Sequence, residues 1–239
     1  MLRDATLGSY LDALASADAT PGGGAATALS LAQAAALLCM VCRLTLGKPK
    51  FAEHDGALRR LLEDALAVKA AAERMADADT AVFKAYLAAV GLPKDTAEAV
   101  EARSAAVQAA LQDAARVPLA VYELAGHLLA PNGTVQILLE IGNPSVISDV
   151  HVARFLAVAA LQSAAANVQI NLAMIKDAAK AAALRARLVH SADLSYWIQD
   201  AAKAPFPVSA TGTRTPDPGA KAAVERILKS LPAAATAPQ

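Results

Sequence analysis

The sequence predicts an all-α fold, one domain built as a bundle of long, alanine-rich antiparallel helices. Apolar residues recur at spacings of three and four along most of the 239 residues, as in helices with one buried face. Sustained period-two runs do not occur, and no Asn-Gly or Asp-Gly pair joins two alternating segments. Aromatic residues make up 4% of a chain that is 56% hydrophobic, so its core must be built from Ala, Leu and Val.

The first two helices flank a glycine-rich segment. A short helix is predicted over residues 6–16 and is amphipathic through Leu7, Leu11 and Leu14. The stretch "TPGGGAATALSLAQ" then leads into the second helix, which is predicted to run from the glycines to Thr45. The segment "LGKPKFAEHDG" contains turn residues and is predicted to be a connection.

Three more long helices complete the predicted bundle. The third covers residues 55–90 and ends at Gly91, a residue type common just after a helix. The fourth starts near Thr96 and is expected to bend at Pro118, because proline cannot donate the helical hydrogen bond. A short helix is predicted to open "PNGTVQILLEIGNPS", and the last long helix covers 144–190 with at most one break.

The predicted helical domain occupies residues 1–203, and a tail rich in Pro and Ala occupies 204–239. The composition changes after "WIQDAAK" to a segment rich in Pro, Thr and Gly, and the tail is expected to be loosely attached or disordered. Within it, "AVERILKSL" predicts a short amphipathic helix.

Charge and targeting signals exclude several classes of function. The formal net charge is zero and no basic face is visible, so binding to nucleic acid is not expected. The first residues lack the apolar segment of a signal peptide, which predicts a cytoplasmic protein. The apolar run from Ala25 to Cys42 is as short as the shortest membrane spans and contains polar residues, so a buried core helix is expected instead of a membrane contact.

Metal and redox chemistry is not predicted either. Cys39 and Cys42 form a C-x-x-C pair, but they lie deep in an apolar helix, whereas reactive pairs sit at helix N-termini or in loops. The four histidines are scattered without the spacing of metal ligands.

The glycine segment is the first candidate site. A helix N-terminus leaves N–H groups without partners and favours negative charge, and glycines let a ligand approach that backbone. A site for an anionic or carbonyl-bearing ligand is one interpretation, and a turn with tight helix packing is the other. The residues concerned are Pro21, Gly22, Gly23 and Gly24.

The third helix contains one acidic residue on its apolar stripe. Asp79 lies in register with Met75, Val82 and Tyr86, whereas Asp77 lies about 200° away around the helix. A carboxylate on a buried face is costly unless it is paired or neutralised, and such groups are candidates for acid–base catalysis. A structural polar contact between helices or subunits is the alternative.

Further polar residues occur late in the chain and after the second helix. Asn143 precedes a proline, as a helix cap does, and Asp149 follows within two turns; Asn167 and Asn171 lie four apart on one helix face. These amides can bond between helices or contact a polar heteroaromatic ligand. The remaining candidates, Lys48 and Lys50, are either a solvated pair or a clamp for ligand carboxylates.

Taken together and in this order, these segments resemble the cyclodeaminase/cyclohydrolase family. The similarity covers about residues 7–188 and lies in "TPGGGAATALSLAQAAALLCMVCRLTLGKPKF", "DADTAVF", "GNPSVISDV" and "NVQIN". The family includes the cyclodeaminase part of formiminotransferase-cyclodeaminase and stand-alone methenyltetrahydrofolate cyclohydrolases. Pro49 within the basic segment and the pair Cys42 and Arg43 depart from its usual pattern, and the chain beyond Lys203 has no counterpart in it.

The resemblance implies a homodimeric helical enzyme with a folate site near the glycines. Asp79 matches the family's key acid, and the other candidates match its substrate-binding elements. The implied activity is hydrolysis of the methenyl bridge of tetrahydrofolate, with formiminotetrahydrofolate cyclodeamination as the alternative and neither a metal nor an organic cofactor required. A non-catalytic helical dimer that binds folate or another partner is a further alternative.

Overall fold

The computed structural model describes residues 1–189 and 220–231, and these residues form helices and turns without a strand. The α-helices are, in chain order, α1 (Leu7–Leu14), α2 (Gly23–Thr45), α3 (Asp55–Val90), α4 (Ala97–Leu129), α5 (Thr134–Ile141), α6 (Ile147–Met174), α7 (Ala178–Val189) and α8 (Ala220–Lys229). Short 3-10 helices cover Leu2–Asp4, Pro49–His54 and Pro144–Val146. The predicted all-α class is therefore confirmed.

Four long helices form an antiparallel bundle. The helices α2, α3, α4 and α6 pack in a ring, each against the next. Hydrogen bonds fix their directions: the end of α2 meets the start of α6 through Thr45 and Asn143, and the Gln108 side chain of α4 meets the end of α6 at Met174. Neighbouring helices in the ring therefore run in opposite directions.

Small side chains fill the core. Fully buried alanines, such as Ala28 and Ala35 in α2 and Ala71 and Ala72 in α3, alternate with leucines and valines. Both cysteines are buried there as free thiols, and burial raises the pKa of Cys42 to about 12. A thiol with so high a pKa is a packing group, because nucleophilic and metal-binding cysteines need the thiolate.

The predicted boundaries agree closely with the observed helices. The third helix covers the predicted residues, and Thr96 caps α4 by accepting a hydrogen bond from the Ala99 N–H. The last long helix breaks once, at 175–177, and His190 lies outside the described residues. The connection after α2 differs, since it contains the 3-10 helix Pro49–His54 with proline at its start.

The helix predicted within the tail forms and packs onto the bundle. In α8 and the turn after it, Val224, Ile227 and Leu231 are buried in the same core as α3 and α4. This part of the tail is therefore packed and not loosely attached as expected, because its apolar face finds a complementary surface. The domain boundary at 203 and the rest of the tail lie outside the described residues.

Two helical segments are long and apolar enough to cross a membrane by length and composition alone. One is α2, whose apolar window is 61% buried in the protein, as the core of a soluble bundle would be. The other is Pro144–Met174, which includes α6 and whose apolar window is only 28% buried. The second segment therefore leaves much apolar surface outside the bundle of one chain.

Candidate active site

The N-terminus of α2 forms one wall of a cleft in the bundle. Gly22 precedes the helix in an extended conformation without a side-chain cap, so the first N–H groups of α2 lack the usual internal partners. A Cβ built on Gly23 would meet no atom within 4 Å, so the backbone at Gly23 is open to the cleft. The site predicted at the glycines therefore has room for a ligand.

Asp79 of α3 lies directly against this helix terminus. The backbone N–H of Ala25 donates a hydrogen bond to its carboxylate. Gly24 makes this approach possible, because a Cβ at position 24 would overlap the carboxylate and lie within 2.6 Å of Oδ2. The acid that the sequence predicts on the buried stripe of α3 thus contacts the N-terminus of α2.

The environment of Asp79 favours its neutral form. Burial raises the pKa of Asp79 to about 6 from an ordinary value of 3.8, and the hydrogen bond from the Ala25 N–H offsets part of that rise. Such a carboxyl group can exchange a proton near neutral pH, which suits a general acid or base.

The cleft in front of Asp79 has a volume of about 270 Å³, close to the lower limit of about 300 Å³ for small-molecule pockets. It brings together helices that are far apart in the chain. The lining residues are Ala19, Thr20, Gly22, Gly23, Gly24, Asp79, Val82, Phe83, Tyr86, Leu111, Ala114, Pro118, Asn167, Ile170, Asn171 and Met174.

Two aromatic side chains extend the face of α3 that presents Asp79. The ring centres of Phe83 and Tyr86 are 6.0 Å apart with the rings tilted by 42°. They follow Asp79 by four and seven residues, which places all three on one side of the helix. These rings supply a flat apolar surface beside a titratable group, an arrangement that suits a flat heteroaromatic ligand.

The proline within α4 shapes the opposite wall. Pro118 cannot donate to the Ala114 carbonyl as the helical pattern requires. The side-chain Nδ2 of Asn171 donates to that carbonyl instead at 3.2 Å, and it also donates to the Asn167 carbonyl at 2.9 Å. Asn171 therefore stabilises the cleft wall, and this structural role explains its position.

Asn167 is placed differently from its neighbour. It lines the cleft one helical turn before Asn171, and among the described residues its side-chain amide has no hydrogen-bond partner. An unpaired amide facing the cleft can donate to and accept from a polar ligand. Of the two predicted amides, Asn167 is thus the one with free capacity for a ligand.

The two predicted lysines do not line this cleft within one chain. Lys48 and Lys50 are exposed beyond the C-terminus of α2, and α2 is about 34 Å long at 1.5 Å per residue. Lys50 Nζ lies 5.7 Å from the centre of the Phe51 ring, a cation–π contact within its own segment.

Asn143 and Asp149 also lie at that distant end. Asn143 is 7% exposed, its Nδ2 donates to the Leu44 carbonyl, and its Oδ1 accepts from the Ser145 N–H. Its predicted capping role is confirmed, whereas the structure does not bring it to the cleft. Asp149 is in the first turn of α6, where the helix dipole favours an acidic side chain.

Sequence reasoning missed much of the apolar lining. Phe83, Ile170 and Met174 were not predicted as site residues, although the spacing of Phe83 from Asp79 could have identified it. Pro21 was predicted as part of the site but is not among the residues that line the cleft, and its peptide bond to Thr20 is cis.

A second cavity among the described residues does not combine a titratable group with the glycines as the first cleft does. A cavity of about 160 Å³ lies among residues of α3, the end of α4 and the start of α5, including Asp64, His127 and Asn132. It contains none of the predicted site residues. Across residues 1–189 and 220–231, no cluster of three or more His, Cys, Asp or Glu side chains could hold a metal ion.

Comparison with known proteins places these features in a family context. Residues 6–190 match the family model described as formiminotransferase-cyclodeaminase. The chain is 41% identical over 179 residues to a methenyltetrahydrofolate cyclohydrolase from Methylorubrum extorquens, in an alignment covering 75% of this chain and 85% of that protein.

Two further relatives are similar to this chain, one in sequence and one in structure. The formimidoyltransferase-cyclodeaminase of Sus scrofa is 37% identical over 182 residues, which cover 76% of this chain but only 33% of that longer protein. A crystal structure of formiminotetrahydrofolate cyclodeaminase from Thermotoga maritima superposes with a TM-score of 0.66 and 25% identity, covering 96% of this chain and 98% of the other.

Proposed function

Since this chain belongs to the formiminotransferase-cyclodeaminase family, we propose that it is a methenyltetrahydrofolate cyclohydrolase that converts the methenyl bridge to a formyl group. The relative with that name is 41% identical and has 85% of its length aligned with this chain. The cleft provides a suitable place for the reaction, since a titratable group, an open helix terminus and aromatic side chains meet there.

The observation that supports this proposal most directly is the environment of Asp79. Its carboxylate faces the cleft, accepts from the Ala25 N–H and has a pKa of about 6 because it is buried. A group of this kind can take a proton from water and return it within one catalytic cycle near neutral pH. In its charged form it also stabilises a cationic bridge carbon beside it.

The proposed reaction uses Asp79 twice. Asp79 removes a proton from water as the water oxygen bonds to the cationic bridge carbon, which gives a neutral tetrahedral carbon. One of the two C–N bonds then breaks, and Asp79 returns its proton to the departing nitrogen. The remaining hydroxyl proton goes to solvent and the C=O bond of the formyl group forms. One water is consumed, one proton is released, and these steps use neither a metal ion nor an organic cofactor.

Other residues that line the cleft would position the substrate. The open backbone at Gly23 and the unpaired amide of Asn167 are suited to the hydrogen-bonding edge of the pterin, and Phe83 and Tyr86 to its faces. Asn171 supports the wall through its bond to the Ala114 carbonyl.

Formiminotetrahydrofolate cyclodeamination is the second candidate. The structure from Thermotoga maritima that bears this name matches almost the whole of both chains. In that reaction the anilino nitrogen attacks the formimino carbon and ammonia leaves, and the same Asp79 would protonate the departing nitrogen. Both reactions pass through a tetrahedral carbon in front of one acid, so one site is suited to either.

The experiment is to incubate the purified protein separately with methenyl- and formiminotetrahydrofolate. Loss of methenyl absorbance well above the uncatalysed rate is expected with the first substrate. Ammonia release from the second would assign the cyclodeaminase. A folded protein that turns over neither substrate would contradict both proposals and favour a non-catalytic folate-binding role. We further propose a homodimer as the active form.

A further inference from the structure

The end of α6 is bonded to a side chain of another helix. Gln108 of α4 uses both atoms of its amide there: Nε2 donates to the Met174 carbonyl at 3.1 Å, and Oε1 accepts from the Lys176 N–H at 2.7 Å. α6 ends at Met174, and the last carbonyls of a helix have no partner within that helix. The two hydrogen bonds of Gln108 therefore bridge the point where α6 stops.

Gln108 adds a second connection between two helices that line the cleft. Asn171 of α6 donates to the Ala114 carbonyl of α4 at 3.2 Å. Positions 108 and 114 are about 9 Å apart along α4, at about 1.5 Å per residue. A side-chain amide from each helix thus bonds to the backbone of the other, and the relative position of α4 and α6 is fixed at two levels.

Apolar side chains of the cleft lie at the level of these two connections. Leu111 of α4 lies midway between positions 108 and 114, lines the cleft and is only 3% exposed. Across from it, Ile170 and Met174 of α6 line the cleft and are 64% and 42% exposed. Packing against neighbours fixes a buried leucine, whereas the position of such exposed side chains depends mainly on the backbone that carries them. Gln108 fixes the end of that backbone.

We propose that Gln108 is a positioning residue for the cleft. By holding the end of α6, it sets the distance between Met174 and Leu111, and so the width of the apolar part of the cleft that receives the substrate. Gln108 is not among the residues that line the cleft, so it acts through Met174 and touches no reacting atom. The identity of the substrate rests on the proposed function, whereas the hydrogen bonds of Gln108 do not.

Kinetics with methenyltetrahydrofolate separate positioning from catalysis. Gln108→Ala should raise KM about tenfold and leave kcat within about twofold of the wild type, because the contact between Asp79 and α2 is unchanged. The midpoint of about 6 expected from Asp79 in the pH profile of kcat/KM should also be unchanged. A fall in kcat with KM unchanged would contradict a positioning role.

Gln108→Glu tests the donated hydrogen bond alone. A glutamate has nearly the same size and still accepts from the Lys176 N–H, but its carboxylate cannot donate to the Met174 carbonyl. Two oxygens then face each other, so KM should rise at least as much as in Gln108→Ala. Because this variant keeps one of the two hydrogen bonds, it also decides the proposal if Gln108→Ala does not fold.

Gln112→Ala is the matched control. Gln112 lies one turn further along α4, and its Nε2 donates to the Gln108 carbonyl within the same helix. Loss of this hydrogen bond leaves the end of α6 in place, so KM should stay at the wild-type value. Equal increases in KM in the two alanine variants would indicate a general loosening of α4 and would overturn the proposal.

A methionine NMR spectrum detects the same effect without turnover. The chain contains four methionines, and Met174 is the one among them that lines the cleft. The methyl signal of Met174, identified with the variant Met174→Leu, should shift when methenyltetrahydrofolate binds. In Gln108→Ala this signal should change its position in the free protein, and its shift on binding should become smaller. Gln112→Ala should keep both at their wild-type values.

The outcomes distinguish this proposal from the proposed function. A wild-type chain that turns over methenyltetrahydrofolate, together with unchanged KM and an unchanged Met174 signal in Gln108→Ala, would overturn the positioning role and leave the function intact. A folded wild-type chain that turns over neither folate, but whose Met174 signal shifts with methenyltetrahydrofolate and shifts less in Gln108→Ala, would overturn the function and support the positioning role.

Discussion

The absence of a side chain at Gly24 allows the carboxylate of Asp79 to reach the backbone of α2. A Cβ at position 24 would overlap the carboxylate, whereas a Cβ at the neighbouring Gly23 would meet no atom within 4 Å. Consecutive glycines thus have different tasks, one towards the protein and one towards the cleft. Two substitutions can separate these tasks.

Gly24→Ala should displace the Asp79 carboxylate from the Ala25 N–H. We expect kcat to fall about 100-fold or more, because a displaced acid–base group loses its contribution to the transition state. The free energy of unfolding should fall by about 1 to 3 kcal/mol through overpacking. Turnover and denaturant unfolding measure the two effects, and a variant with unchanged kcat would contradict the proposed contact.

Gly23→Val should weaken substrate binding more than it weakens folding. Its side chain points into open space in the cleft, so we expect a higher KM with an unfolding transition close to that of the wild type. A variant that unfolds without a binding defect would show that the segment is only a structural turn.

Asp79→Asn should abolish turnover while preserving or increasing stability. Since the folded pKa of Asp79 is about 6 and its ordinary value is 3.8, burial favours the protonated form. The stability from this group is present below pH 3.8 and is lost as pH rises through 6. The variant should therefore be up to about 3 kcal/mol more stable than the wild type at pH 7. That difference should shrink towards pH 4.

Asp77→Asn is the matched control for this substitution. Asp77 is on the same helix but accepts from the Leu2 N–H, outside the cleft. Its variant should keep wild-type turnover. Equal losses of activity in the two variants would remove the special role assigned to Asp79.

The pH dependence of the reaction should show the raised pKa directly. Asp79 must be deprotonated to accept a proton from water, so kcat/KM should fall about tenfold per pH unit below a midpoint of about 6. A carboxylate with an ordinary pKa would give a midpoint near 4. Stopped-flow absorbance measured from about pH 4.5 to about pH 8 distinguishes a midpoint near 6 from one near 4.

Asn167 and Asn171 should respond differently to alanine. Asn171→Ala leaves the Ala114 carbonyl unpaired and should cost about 1 to 3 kcal/mol of stability. That cost should diminish in a Pro118→Ala background, where the backbone N–H at 118 can serve the same carbonyl. Asn167→Ala should leave stability within about 0.5 kcal/mol and raise KM. Equal stability losses in both backgrounds would contradict the role of Pro118.

If Lys48 and Lys50 bind substrate, they should bind it in the cleft of the partner subunit. They are at the far end of α2 in their own chain, so in the proposed homodimer they would reach a substrate only in the cleft of the second subunit. A mixture of Asp79→Asn chains with Lys48→Ala/Lys50→Ala chains should regain about a quarter of wild-type activity, since half of the dimers then contain one intact site. No regain, with the double lysine variant impaired by itself, would show that the lysines do not act in the partner's cleft.

Much of the helical fold was predictable because periodicity and helix-ending residues are local signals. The limits of α3, the cap at Thr96 and the proline within α4 are all visible in short stretches of sequence. The packed position of α8 was not predictable, since it depends on a surface formed by distant helices. The candidate site divides in the same way: Asp79 follows from its place on an apolar stripe, whereas the separation of Lys48 from the cleft depends on the length and direction of α2.

The sequence by itself determined that the chain is helical, that its core is made of small residues, and that one acid lies on a buried face. Only the tertiary structure decided which glycine touches that acid, which asparagine keeps a free amide, and which candidates lie at the other end of α2, a helix about 34 Å long. The physical reason is that helix formation depends on neighbours three and four residues apart. A catalytic environment depends instead on burial and hydrogen bonds between segments that meet only when the bundle closes.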